Sequence, residues 1–197
     1  MASICTYTGI QFTPFTPRVE QVCAADVAHA LSNMPRFAGH TRRFYSVAQH
    51  SVTVSLICAP EDAVYGLLHD ASEAYLLDVP TPWKHLLPGY REAEIALQVA
   101  ILEAFGLQPR LPDSVKESDQ MALLHERAHL MPAADWWKYP SGVKVPSRLG
   151  QWDATVPLSP YEARAHFVTR LLELYEMGHI PCIPGGVDEF RLMRRAA

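Results

Sequence analysis

A chain of 197 residues can bury a substantial core in one domain, and 49% hydrophobic against 19% charged residues exclude a disordered chain. A net charge of -4 argues against broad binding to nucleic acid or to anionic membranes, while leaving room for a local basic pocket. The four cysteines, Cys5, Cys23, Cys58 and Cys182, are scattered with no C-x-x-C pair, which excludes a zinc ribbon and reads as reduced thiols. With no apolar run of membrane length and no signal-peptide pattern, the expectation is a soluble cytoplasmic chain with neither membrane nor nucleic acid as partner.

In chain order, Met1 to Pro17 alternates Thr, Tyr, Phe and Pro and predicts a short surface strand or hairpin. Cys23 to Met34 predicts a helix, with Val27 and Leu31 one turn apart and Pro35 as the stop. Pro35 to Tyr45 has no period; its Arg36, Phe37, Gly39, His40, Thr41, Arg42 and Arg43 read either as an anion-binding loop or as a solvated basic one. Ser46 to Gln49 fits a capping box that opens a helix running from Val47 to Cys58, with His50 in its first turn.

Glu61 to Leu77 predicts one continuous helix, apolar on almost every face from Val64 onward and therefore buried. Yet His69, Asp70 and Glu73 stand in its middle, where an uncompensated carboxylate costs several kcal/mol. On a helix Glu73 would stand over both His69 and Asp70, at i,i+4 and i,i+3. A divalent metal over that seam accounts for the polar residues; so does a satisfied core histidine beside a paired aspartate.

Asp78-Val79-Pro80-Thr81-Pro82 forbids continuation. Tyr90 to Phe105 predicts an amphipathic helix with Ile95, Val99 and Leu102 inward and Gly106 as its cap. Asp113 to Met131 predicts another, with the stripe Val115, Asp119, Ala122, Leu123 and Leu130; Asp119 stands where the pattern asks for a hydrophobic residue and needs a cation. Ala133 to Val156, holding Trp136, Trp137, Tyr139 and Trp152, predicts a long loop that serves as a lid or an oligomer contact. Ser159 to Met177 predicts a last helix with Pro160 at its first position, and Gly178 to Ala197 gives little. No domain boundary stands out, so one domain spans 1–197 with its core at about 23–177.

His50, His69, Asp70 and Asp119 together provide two imidazoles and two carboxylates on three predicted helices, a mixed N/O set suited to a divalent ion such as Co, Mn, Zn, Ni or Fe. In this order they resemble the signature of the HD-domain phosphohydrolases. The runs Val47-Ala48-Gln49-His50-Ser51, Leu68-His69-Asp70-Ala71-Ser72-Glu73 and Asp78-Val79-Pro80-Thr81-Pro82-Trp83-Lys84 are similar to those of bacterial 5′-deoxynucleotidases and phage dATP triphosphohydrolases, over about Leu31 to Leu130.

The resemblance implies an all-α HD-domain helical bundle, here with a short N-terminal strand or hairpin and a Trp-rich loop. It implies His50, His69, Asp70 and Asp119 as ligands of one divalent transition metal, with Mg on the substrate phosphates as a further ion. Glu73 would orient the attacking water or shuttle its proton, and Asp78 would complete the acid pair near the leaving oxygen. Arg36 matches the substrate-binding arginine, followed by Phe37 where relatives often carry Trp. His40, Thr41, Arg42, Arg43 and Lys84 are candidates for phosphate contacts. The substrate would be a deoxyribonucleotide, the assembly a dimer or hexamer, and the location cytoplasm, or host cytoplasm for a phage protein. Arg36, His40, Arg42, Arg43 and Lys84 form more cation than a monophosphate needs, which tilts the expectation toward a dATP or dNTP triphosphohydrolase over a 5′-deoxynucleotidase.

Two rivals belong to other classes. His125-Glu126-Arg127-Ala128-His129 fits the H-E-x-x-H pattern of zinc metalloproteases. Against it, Arg127 charges the motif, Pro132 ends the helix within a turn, and His125 points about 120° away from Asp119 at 3.6 residues per turn. The other rival is a protein that binds nucleotides without hydrolysing them. With no P-loop, dinucleotide motif or G-x-S-x-G, kinase, dehydrogenase and serine hydrolase readings lack support.

Overall fold

A computed structural model describes residues 2–136 and 152–195. The architecture is helical, with one two-stranded antiparallel hairpin, β1 (Ile4–Cys5) against β2 (Gln11–Phe12), at the N-terminus. The hairpin is fastened to α1 (Ala24–Asn33) because buried Asp26 accepts from the Thr8 amide at 2.7 Å and its hydroxyl at 2.9 Å. Phe12, fully buried, stacks on Tyr75 with ring centroids 3.8 Å apart.

The helix buried on nearly every face is α2 (Val47–Ile57), which packs against α1, α3 (Ala63–Leu68), α7 (Asp113–Leu130) and α8 (Pro160–Glu176). Its start is half the expected box: the Ser46 hydroxyl accepts from the Gln49 amide at 3.2 Å. Gln49 does not reach back. Its side chain instead donates to Val156 O at 2.8 Å and accepts from the Leu158 amide at 3.0 Å, docking the residues that lead into α8. A complete capping box stands at Ser159 and Glu162, opening α8. Gly66 lets α3 approach α2: a Cβ there would lie 2.7 Å from Cys58 Sγ and 3.1 Å from Ser55 Cα.

Three expectations need correction. The inward face of α6 (Tyr90–Ala104) is Ala93, Leu97, Gln98, Ile101 and Leu102, while Ile95 is exposed, so the helix is rotated from the predicted stripe. The core extends beyond its expected limit at 177, because α9 (Val187–Arg195) brings Phe190 into it. Most important, the predicted helix from Glu61 to Leu77 is broken. After a 3-10 turn at Pro60–Asp62 it runs only from Ala63 to Leu68, and α4 (Glu73–Leu76) resumes beyond a turn.

The break has a visible cause. In an unbroken helix the Ser72 amide would bond to the Leu68 carbonyl. Here Gln98 of α6 stands between them, donating to Leu68 O at 2.7 Å and accepting from Ser72 N at 3.2 Å. A side chain inserted into the ladder kinks a helix, and the neighbouring amides fall back on i→i−3 bonds: Ala71 to Leu68 O at 3.0 Å and Glu73 to Asp70 O at 3.0 Å. Gln98→Leu is expected to strand the Ser72 amide, costing about 1–3 kcal/mol, while the Leu68 carbonyl keeps the Ala71 amide. Urea unfolding should show that loss, and a cobalt titration should show weaker binding, because His69 and Asp70 lie inside the turn. Unchanged stability in Q98L would sink this account.

A short helix α5 (Thr81–Lys84) follows the proline-rich stretch. Trp152, at the edge of the described residues, donates to Thr53 Oγ1 at 2.9 Å. Trp137 and Tyr139 of the expected lid lie outside the described residues. All four cysteines are free thiols. Among the described residues no helix is long and apolar enough to cross a membrane.

Candidate metal centre

Three segments converge on one point. α2 supplies His50 from its buried first turn, the Gln98-enforced turn supplies His69 and Asp70, and α7 supplies Asp119. His50 Nε2 lies 3.2 Å from His69 Nε2 and 3.1 Å from Asp119 Oδ1, and His69 Nε2 lies 3.8 Å from the same oxygen. Asp70 Oδ2 is 3.1 Å from His69 Nε2 and 3.6 Å from His50 Nε2. Two ligand atoms each about 2.1 Å from one ion lie about 3.0–3.4 Å apart in octahedral or tetrahedral geometry. His50, His69 and Asp119 thus form a group that could hold a metal ion, their ligand atoms all within 4.8 Å of one another.

The tautomers fit as well. His69 Nδ1 is 2.8 Å from Gly66 O, a carbonyl that can only accept, so Nδ1 carries the proton and Nε2 keeps its lone pair. His50 Nδ1 is 2.8 Å from Glu126 Oε1, and an ionised carboxylate likewise only accepts, so the second imidazole also presents Nε2.

The metal-free electrostatics show how strongly the cluster asks for positive charge. Burial opposes ionisation of Asp70, but His69 and His50 outweigh it and bring its pKa down to about 2. Burial likewise opposes ionisation of Asp119, and hydrogen bonds from His50 and His69 hold it far below the usual carboxylate range. Burial works against a charged His69, yet Asp70 and Asp119 raise its pKa well above 6.5. His50 is raised as well, with burial and Arg36 outweighed by Glu126 and Asp119. The carboxylates thus favour positive charge at this point, which a bound cation would supply.

No family model matches the chain. It is 36% identical over 178 residues to the uncharacterized protein YfdR of Escherichia coli (strain K12), a match that spans 90% of this chain and 98% of YfdR. The chain belongs to the YfdR family. The name YfdR states no activity.

Around the YfdR-family centre stand the other expected residues. Although the helix is broken between Leu68 and Glu73, the Glu73 amide bonds the Asp70 carbonyl at 3.0 Å and the Asp70 charge acts on the Glu73 carboxyl. Buried Glu73 has Oε1 3.8 Å from Lys84 Nζ, and its Oε2 has no hydrogen-bond partner among the described residues. Burial, then the charges of Asp70 and Asp78, push its pKa well above 4.5. Asp78 follows Leu77, whose φ of 72° swings the chain through the left-handed region, and burial and Asp70 raise its carboxyl despite Arg36.

Arg36 is buried and engaged: Nη1 lies 3.4 Å from Asp70 Oδ2 and Nε 3.2 Å from Glu126 Oε2, with its guanidinium 5.5 Å from the centre of the Phe37 ring. Lys84 Nζ is engaged too, 2.5 Å from Glu94 Oε1. His40, Arg42 and Arg43 are exposed, with no ion pair among the described residues, and the Thr41 hydroxyl donates to Arg43 O at 2.6 Å.

Sequence reasoning missed Glu126 and Tyr45. Glu126 is fully buried on α7, two turns beyond Asp119, and Tyr45, also fully buried, donates to its Oε1 at 2.9 Å. The signal was present: 115, 119, 122, 126 and 130 keep one helical face, but Glu126 reads first as part of the H-E-x-x-H pattern. That pattern does not assemble a centre here, because Glu126 turns inward to His50. His125 and His129 contact each other instead, with ring centroids 4.4 Å apart and His129 Nδ1 bonded to the His125 carbonyl.

Proposed function

We propose that this YfdR-family chain is an HD-domain, metal-dependent phosphohydrolase of deoxyribonucleoside phosphates, with a dNTP such as dATP cleaved to deoxynucleoside and tripolyphosphate. The observation that carries the reading is the convergence of His50, His69 and Asp119 from separate segments, with Asp70 Oδ2 beside both imidazoles. The order and local sequence of these residues resemble the HD phosphohydrolases. His50, His69, Asp119 and Asp70 would hold the ion, and their N/O character suits Co, Mn, Zn, Ni or Fe. When bound, such an ion lowers the pKa of coordinated water and neutralises phosphate oxygens.

The chain's own groups supply the rest. Glu73, whose Oε2 has no hydrogen-bond partner among the described residues, orients the attacking water and takes its proton. Asp78, with a raised pKa, serves the leaving oxygen. Exposed His40, Arg42 and Arg43 remain available to the distal phosphates, on the loop that Arg36 anchors.

One observation favours a second reading, a 5′-deoxynucleotidase acting on dNMPs. Arg36 and Lys84 are already matched by carboxylates, so the positive charge left for a triphosphate is smaller than the sequence suggests. A panel of dNMPs, dNDPs and dNTPs with Co²⁺ or Mn²⁺, read by phosphorus NMR, separates the two. Tripolyphosphate is the expected product. Orthophosphate from monophosphates alone would move the assignment to the nucleotidase, and no turnover of any deoxynucleotide would favour a nucleotide-binding protein.

A further inference from the structure

Glu126 is the buried charge that the proposed hydrolysis leaves without a task. Its side chain is fully enclosed, where an ionised carboxylate is costly unless donors converge on it. Two donate to Oε1, Tyr45 OH at 2.9 Å and His50 Nδ1 at 2.8 Å, and the Arg36 guanidinium pairs electrostatically with Oε2, its Nε 3.2 Å away. These contacts hold Glu126 below the usual glutamate range although burial pushes the other way. Each partner comes from a different part of the chain, the loop after α1, the residue before the Ser46 cap, and α2. Arg36 extends the set to Asp70 at 3.4 Å. The His50 contact falls on Nδ1, the ring nitrogen turned away from His69 and Asp119, which is the contact that orients an imidazole whose Nε2 faces the cluster.

We infer that Glu126 is a positioning residue for the metal centre: by accepting from His50 Nδ1 it fixes the tautomer and ring angle that aim Nε2 at the ion, and through Arg36 it holds Asp70 in the same frame. This rests on the metal half of the proposed function and not on its substrate. Carboxylate partners of this kind orient a ligating histidine, and losing one costs about 10–100-fold in metal affinity. The glutamate of the H-E-x-x-H pattern then has a role with a metal, though at a centre that contains neither of the pattern's histidines.

The test uses the whole chain and metal alone. In the zinc-loaded wild type, imidazole ¹H–¹⁵N NMR should place the His50 proton on Nδ1 and zinc on Nε2. A proton on Nε2 overturns the inference with no substitution made, so the test survives a variant that fails to fold. E126Q is expected to weaken Co²⁺ binding roughly 10–100-fold and to alter the cobalt d–d spectrum, with E126D, which keeps the charge, recovering part of both. Wild-type affinity and spectrum in E126Q would overturn it. So would loss of cobalt in the H125A/H129A double variant, which should bind as the wild type does. A zinc-loaded chain with the expected tautomer that hydrolyses no deoxynucleotide would defeat the phosphohydrolase reading and leave this one standing.

Discussion

Asp119→Ala is expected to leave a folded protein with no bound metal and with deoxynucleotide turnover reduced about a thousandfold or more. The charge stabilisation a metal gives a transferring phosphoryl group is worth several kcal/mol, and about 1.4 kcal/mol is a factor of ten. Asp119 provides one of the three converging ligand groups, so its loss leaves the two imidazoles and Asp70 without the carboxylate that closes the site from α7. The fold should survive, since the Asp119 side chain is 38% exposed and Val115, Ala122 and Leu130 keep α7 seated. Metal analysis after gel filtration and a cobalt titration measure the first half of this result, and phosphate release the second. Full metal content and full turnover in the variant would refute the centre.

The same site sets the pH dependence of metal binding. A metal ligates neutral imidazole, so it must displace the proton that the metal-free His69 retains above its ordinary pKa of 6.5. Affinity for cobalt should therefore weaken as pH falls and strengthen as pH rises beyond 6.5.

Glu73→Gln is the second large effect: turnover should fall by about 10²–10⁴-fold, the usual contribution of a positioned general base, while cobalt binds with an unchanged spectrum. Gln fills the same buried space but cannot take a proton from water. Stability should move the other way. Because the pKa of Glu73 is raised in the folded chain, its ionisation costs stability between 4.5 and the raised value, a cost present at neutral pH and absent in acid. A neutral amide carries no such cost, so the melting temperature of E73Q at pH 7 should equal or exceed that of the wild type. A variant that keeps full turnover would remove Glu73 from the chemistry. One that loses its metal would make it part of the site's framework instead.

Helix existence was legible wherever the apolar period was long. The helices containing His50, Asp119 and Phe167 begin and end within a residue or two of their predicted limits. The polar intruders were legible too, because His50, His69, Asp70 and Asp119 each violate an apolar stripe, and that is a property of the sequence alone. The role of Glu126 was not read correctly, although it sits on the same face as Asp119, because a four-residue spacing on a helix does not say which of two motifs owns a residue.

What the sequence by itself determined is therefore local: which faces are apolar, where capping and proline end a helix, and which charged groups must find partners inside. What only the tertiary structure decided is where those partners come from. Gln98 breaks the His69-Asp70 helix from another helix altogether, Glu126 reaches back to His50 across the bundle, and Arg36 is matched by Asp70 and Glu126. Periodicity follows from the geometry of one helix, whereas the direction of a buried polar side chain depends on donors and acceptors brought beside it by packing, from residues tens of positions away.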